Sequence, residues 1–156
     1  MKQITIDLLR HGDAAGGKKL LGHTDEPLSE LGWQQMRAIA NHNQHPWQKI
    51  ISSPLQRCRE FAEELSGQSS LPISIETRFQ EIDFGQWDGQ LLSNIYESNE
   101  SEKLIQFMHD PMSLSPPHGE TYVEFKQRVL TAWQELLESL HKEQIEHCLL
   151  ITHSGV

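Results

Sequence analysis

Apolar and polar positions divide the chain into short strand-like runs separated by longer amphipathic stretches. Ile4 to Leu9 is a run of strand formers that stops abruptly at Arg10, His11 and Gly12. Lys49-Ile50-Ile51-Ser52, Pro72-Ile73-Ser74-Ile75-Glu76 and Cys148-Leu149-Leu150-Ile151-Thr152 read as three further strands. Ser29 is placed to cap a helix that runs to about Asn41, with Leu31, Met36, Ile39 and Ala40 facing inward. Ser53-Pro54 reads as the cap and first position of a second helix. From Leu91 to about His109 the pattern is weakly helical, with one or two short helices expected. Asp110-Pro111 and Ser115-Pro116-Pro117-His118-Gly119 then break the chain. The clearest helix is the last, where Tyr122, Phe125, Val129, Trp133, Leu136, Leu137 and Leu140 recur at three- and four-residue steps.

Strands that alternate with helices predict a three-layer α/β/α sandwich around a mainly parallel sheet. The 156 residues fit one domain, 1–156, able to bury a sizeable core, with 91–118 a cap-like helical insertion. No repeat, low-complexity tract or linker divides the chain.

In such a sheet, ligands bind just beyond the carboxyl ends of the strands. Arg10 and His11, Arg57, Glu81 and His153 each follow a different strand at that edge, so one assembled site is expected there. Arg57 falls in the opening turn of the second helix, beside orphan amides and the positive end of the dipole. A cation is misplaced there unless an anion lies between; the alternative is a surface arginine paired with Glu60. Glu81 and Asp83 flank one apolar residue and can point the same way, one catalytic and one structural; the alternative, favoured from these residues alone, is a pair of solvated carboxylates. The loop Asp13 to Lys19 is polar and glycine-bearing, able to wrap a phosphate with backbone amides, but it matches no nucleotide-binding motif.

Composition narrows the partners. A formal charge of -9 argues against nucleic acid or an anionic membrane surface, yet leaves room for a few arginines focused in a cleft on a small anion. No apolar run approaches the roughly 20 residues that span a bilayer, and the N-terminus does not read as a secretory signal. Cys58 and Cys148 make neither a disulfide framework nor a zinc set, which points to a reducing cytoplasm. The pattern leaves the oligomeric state open.

Two histidines, two arginines and one carboxylate match phosphoryl transfer through a covalent phosphohistidine. One histidine attacks phosphorus, cations hold the equatorial oxygens, and the carboxylic acid protonates the leaving alkoxide. No metal or cofactor is required if the protein supplies the positive charge. Among nine histidines there is no HExxH, and His42 and His45 lack a companion ligand. A GxSxG elbow is also missing. A non-enzymatic phosphate-binding module stays open as the outside reading; Glu81 discriminates, because a carboxylate weakens simple anion binding.

The motifs, taken in order, resemble the histidine phosphatase (phosphoglycerate mutase-like) superfamily. They are Leu-Arg-His-Gly, Gly-x-x-Asp-x-Pro-Leu-Ser-x-x-Gly, Ser-Ser-Pro-Leu-x-Arg-Cys, Glu-x-Asp-Phe-Gly-x-Trp-Asp-Gly, Gly-Glu and Thr-His. The resemblance covers nearly the whole chain. It implies a phosphoglycerate mutase-like fold and His11 as the phosphorylated nucleophile, with Arg10, Arg57 and His153 around the phosphoryl group and Glu81 as proton donor. Leu21-Gly22 and Gly119-Glu120 fall where that family shapes its substrate pocket, so Gly22 is expected to touch substrate. Gly16-Gly17, Gly32-Trp33-x-Gln35-Met36, Gln56-Arg57-Cys58 and the Phe84 to Gly89 loop look most like α-ribazole phosphatases, which remove the 5′-phosphate of a cobalamin precursor. The alternatives are a phosphoglycerate mutase or a generalist sugar-phosphate phosphatase. Gly17 stands where many members carry a phosphate-binding Asn, and Ser154 where glycine is frequent. Family members also continue past the position of Val156, so the C-terminal part of the family fold is expected to be missing here.

Overall fold

A computed structural model describes residues 3–40 and 45–156. Four strands, β1 (Thr5–Arg10), β2 (Lys49–Ser52), β3 (Ile73–Ile75) and β4 (His147–Thr152), form one sheet in the order β1-β4-β2-β3. All pairs are parallel. The last strand in sequence is therefore central; β2 and β3 fall within the runs that the apolar pattern picked out, and β4 begins one residue before its run, at His147. Lys49–Ser52 is buried throughout and Cys148 to Thr152 likewise. Continuous burial is the mark of parallel strands covered on both faces.

The covering layers follow from the period of two along each strand. Leu9, Ile50, Leu149 and Ile151 face α1 (Glu30–Ile39) and α2 (Gln56–Ser69), packing on Met36, Phe61 and Leu65. Ile51, Cys148 and Leu150 face the other way, onto Phe79 and onto Ala132 and Leu140 of α5 (Tyr122–Lys142). This is the α/β sandwich expected from the alternation of elements. Between β3 and α5 the chain makes 3-10 turns at Thr77–Phe79 and Gly85–Trp87, then α3 (Leu92–Tyr96) and α4 (Ser101–His109). Those pieces share a third apolar cluster, in which Phe84, Trp87, Ile95, Leu104 and Phe107 meet Phe125 of α5. Among the described residues no helix is long and apolar enough to cross a membrane.

Two local expectations are corrected. Ser29 caps α1 as expected, accepting from the Gly32 amide at 3.1 Å. However, Leu31 and Ile39 are exposed, at 54% and 64%, while Gly32, Met36 and Ala40 are buried. Gly12 and Gly32 lie so close that a β-carbon on Gly32 would stand 2.0 Å from the Asp13 carbonyl oxygen. That approach turns a narrow small-residue face inward and leaves Leu31 and Ile39 outside. The expected helix end at Asn41, and His42, lie outside the described residues; His45 stacks on Trp47 with ring centroids 4.2 Å apart. Ser53 is likewise not a helix cap. Its amide donates to the Ile151 carbonyl at 3.0 Å, which extends the sheet ladder by one residue. α2 begins after Leu55, and its Gln56 amide is met by the Asp25 carboxylate at 2.6 Å.

Candidate active site

Strand pairing brings the two histidines together. Arg10 and Thr152 are register partners on β1 and β4, so the next residue of each strand emerges at the same height. The His11 amide continues the ladder to the Thr152 carbonyl at 3.0 Å. The His11 and His153 rings then stand edge to face, with centroids 5.2 Å apart and planes at 62°.

Each ring is held by one nitrogen. His11 Nδ1 donates to the Gly12 carbonyl at 2.8 Å, which leaves the lone pair on Nε2. Burial pulls the His11 pKa down to about 4; the Gly12 bond opposes this, and the charges of Arg57 and Arg10 add to it. His153 is buried, with Nε2 2.7 Å from Ser53 Oγ and 3.7 Å from Cys58 Sγ. Its Nδ1 is buried with no partner among the described residues. Burial, then Arg57 and His11, depress the His153 pKa to about 2. Both rings are therefore neutral near pH 7.

Arg57 is fully buried, which removes the surface pairing with Glu60. Nη1 donates to Thr24 O at 2.8 Å and Nη2 to Gly22 O at 2.7 Å, while Nε is buried with no partner among the described residues. The carbonyl collar is itself organised by Asp88, whose carboxylate accepts from the amides of Gly22, His23 and Thr24 at 3.0, 2.6 and 3.2 Å. Gly22, Arg57 and His153 are not among the residues that line the cavity; the Gly22 carbonyl serves Arg57 and its amide serves Asp88. A β-carbon there would meet Ile82 O at 2.3 Å.

Glu81 lies beside the residues that follow His153. Oε2 accepts from the Gly155 amide at 3.0 Å and from Ser154 Oγ at 3.3 Å, and Oε1 accepts from the Ile82 amide at 3.0 Å. It is buried yet borders the cavity. Asp83 is spent on a turn, accepting from the Gly85 amide at 2.8 Å. Glu120 also stands off the cavity, in an ion pair with Arg128 at 2.6 Å.

The cavity measures about 680 Å³. Arg10, His11 and Glu81 form its polar end, while Leu20, Ile82, Phe84, Phe107, Met108 and Tyr122 make an apolar wall. Gly17, Lys18 and Lys19 edge it, and Lys19 is paired with Glu26. Among the described residues no group of three or more His, Cys, Asp or Glu is arranged to hold a metal ion. Ser53 was singled out from sequence only as a helix cap, and Asp88 and Arg128 were given no role. Ser53 and Asp88 do lie inside quoted motifs, which was the available signal; Arg128 had none.

The whole assembly matches known proteins. A sequence model described as Histidine phosphatase superfamily (branch 1) matches residues 6–156. A glucosyl-3-phosphoglycerate phosphatase of Mycolicibacterium vanbaalenii is 31% identical over 141 residues, covering 88% of this chain and 61% of that protein. The adenosylcobalamin/alpha-ribazole phosphatase of Escherichia coli is 26% identical over 153 residues, covering 96% of this chain and 73% of that one. The solved mycobacterial glucosyl-3-phosphoglycerate phosphatase superposes with a TM-score of 0.80 at 28% identity, over 95% of this chain and 73% of that chain. This chain spans 34% to 61% of the length of several curated relatives.

Proposed function

Because the chain belongs to the histidine phosphatase superfamily (branch 1), we propose that it hydrolyses small phosphomonoesters through a covalent phosphohistidine on His11, without a metal ion. The observation that carries this reading is the paired geometry of His11 and His153, 5.2 Å apart, with His11 tied to Gly12 through Nδ1. A neutral imidazole held this way presents its Nε2 lone pair to phosphorus, and a depressed pKa keeps it neutral.

Arg10, Arg57 and His153 hold the equatorial oxygens as charge develops. Arg57 Nε and His153 Nδ1 are buried with no partner among the described residues, and a phosphoryl oxygen would satisfy each. His11 Nε2 forms the bond to phosphorus as the ester oxygen leaves, and Glu81 gives that oxygen its proton. Water then attacks the phosphohistidine, Glu81 takes the proton back, and the P–N bond breaks to free inorganic phosphate. Glu81 reaches the leaving oxygen by exchanging its weakest contact, the 3.3 Å bond from Ser154.

The substrate proposed is α-ribazole 5′-phosphate. Its support is the apolar wall of Leu20, Phe84, Phe107 and Met108, which suits an aromatic nucleoside better than a charged acid. The α-ribazole phosphatase relative from E. coli agrees with it. A sugar-phosphate phosphatase is the second reading, favoured by the 31% identity to a glucosyl-3-phosphoglycerate phosphatase.

Two measurements test the two levels. Rapid quench with labelled substrate and a strong chelator should trap acid-labile phosphate on the protein, and His11→Ala should abolish it. Label retained in that variant, or activity lost to chelator and restored by zinc or magnesium, would overturn the chemistry. For the substrate, kcat/KM should be highest on α-ribazole 5′-phosphate in a panel with glucosyl-3-phosphoglycerate, 3-phosphoglycerate and sugar phosphates. A higher value on either phosphoglycerate removes that assignment and leaves the phosphohistidine untouched.

A further inference from the structure

The loop that carries Glu81 has no regular structure of its own. It leaves the 3-10 turn at Phe79 and reaches the next at Gly85, with neither a helix nor a strand between. Something else must set its backbone. Arg128, on α5, donates through all three of its guanidinium nitrogens. Nε and Nη2 grip the two oxygens of Glu120 at 2.6 and 2.9 Å. Nη1 donates to the carbonyls of Arg78 and Gln80 at 2.7 and 3.0 Å, and Nη2 also donates to the Glu81 carbonyl at 2.8 Å. These bonds account for all five guanidinium donors.

Glu120 extends the grip to the far side of Glu81. Its Oε2 accepts from the Asp83 amide at 3.3 Å, and its own amide donates to the Asp83 carbonyl at 2.9 Å. Glu81 is therefore bracketed by fixed carbonyls at 78, 80 and 81 and by both backbone groups of 83. The Phe125 ring, 4.9 Å from the guanidinium carbon, closes the remaining side of Arg128. The pair is mostly shielded, with side chains 21% and 14% exposed, so the bonds are not screened as surface pairs are.

We infer that Arg128 is a positioning residue for Glu81: through Glu120 and three loop carbonyls it fixes the backbone from which the proton is delivered. An ion pair that served stability alone would need only Glu120. The three carbonyl bonds instead address the acid-bearing loop, and one of them ends on Glu81 itself. A lysine could keep the Glu120 pair but not the fork, because its ammonium is a point charge with three donors. This inference rests on the reading of Glu81 as the proton donor.

The test is a double-mutant cycle on two ester classes. Arg128→Met should lower kcat/KM, which reports only the phosphorylation of His11 and not the later hydrolysis shared by all esters, on an alkyl phosphate by about 100-fold, the usual cost of a misplacement near 1 Å. On an activated aryl phosphate, whose leaving group scarcely needs the proton, the loss should be only a few-fold. In a Glu81→Gln background the same change should add almost nothing on either ester. Arg128→Lys, which keeps the charge if the methionine variant folds poorly, should show the same ester selectivity at about tenfold. Equal slowing of both esters by both Arg128 variants, or full additivity with Glu81→Gln, would make the clamp merely structural. If Glu81→Gln itself slowed both esters alike, the acid assignment would fall and this inference with it. A selective Glu81→Gln beside an unselective Arg128 pair would sink the inference alone.

Discussion

The two ends of the cavity are built by different means. At the phosphate end, His11 and Ser53 continue the sheet ladder one residue beyond β1 and β2, and His153 follows β4 directly. At the other end, the wall comes from irregular chain at Leu20, Ile82 and Phe84, from α4 and from α5, joined by side-chain packing and by Arg128. Met108, on that wall, is 55% exposed, whereas His153 is 4% exposed. On the proposed function, backbone ladders would hold the chemistry, and side chains on irregular chain would shape what is attached to the phosphate. A scaffold of this kind can change substrates by altering the second end without disturbing the first.

The sharpest way to break this contrast is Glu81→Gln, because Glu81 stands where the two ends meet. The kcat/KM for alkyl phosphates, which runs only as far as the phosphohistidine, should fall by about 10²- to 10⁴-fold, the usual worth of a general acid. Aryl phosphates should be far less affected, and the phosphoenzyme should still form from them in a rapid-quench experiment. Equal losses on both would mean that Glu81 belongs wholly to the phosphate end.

The pH profile of kcat/KM probes the phosphate end by itself. His11 must be neutral to attack, and its pKa is depressed to about 4. Activity should therefore hold as pH falls through 6.5 and then drop about tenfold per unit below about 4, once the substrate's own ionisation near pH 6 is taken into account. A break near 6.5 would mean that burial and the two arginines do not act on His11 as the geometry requires. The same shift has a stability consequence. Both histidines are neutral when folded and take up protons below about 6.5 when unfolded, so stability should decline as pH falls through that window. A melting temperature that rises on acidification from pH 7 to 5 would contradict this.

The smallest effect should sharpen the contrast most. Met108→Ala removes part of the apolar wall and should raise KM for a substrate with a large aromatic leaving group by about fivefold. Competitive inhibition by inorganic phosphate should be unchanged. A parallel loss of phosphate affinity would show that the ends are mechanically coupled.

Much of the phosphate end was legible in the sequence, because its signals are local. An apolar run that stops at Arg10-His11-Gly12, and another that stops at His153-Ser154-Gly155, each mark a strand exit within a few residues. The four strands and the order of the helices followed from the same short-range periodicity. Even there, Ser53 was misread as a cap, because its serine-proline sequence suits a helix start while its amide belongs to the ladder with Ile151. Leu31 and Ile39 were misassigned for a related reason: helical periodicity identifies an apolar stripe, but the Gly12–Gly32 approach selected a different face.

What the sequence by itself determined is therefore the set of elements and the residue types delivered at their ends. Only the tertiary structure decided that β4 inserts between β1 and β2, which puts His153 beside His11. It also decided that loop carbonyls surround Arg57, that the Gly22 backbone serves Arg57 and Asp88, and that Arg128 grips the Glu81 loop from 47 residues away in the chain. The physical reason is one of range. Hydrophobic periodicity and capping act over a few residues, whereas strand order and the partners of buried polar groups are settled by which distant segments satisfy them on folding.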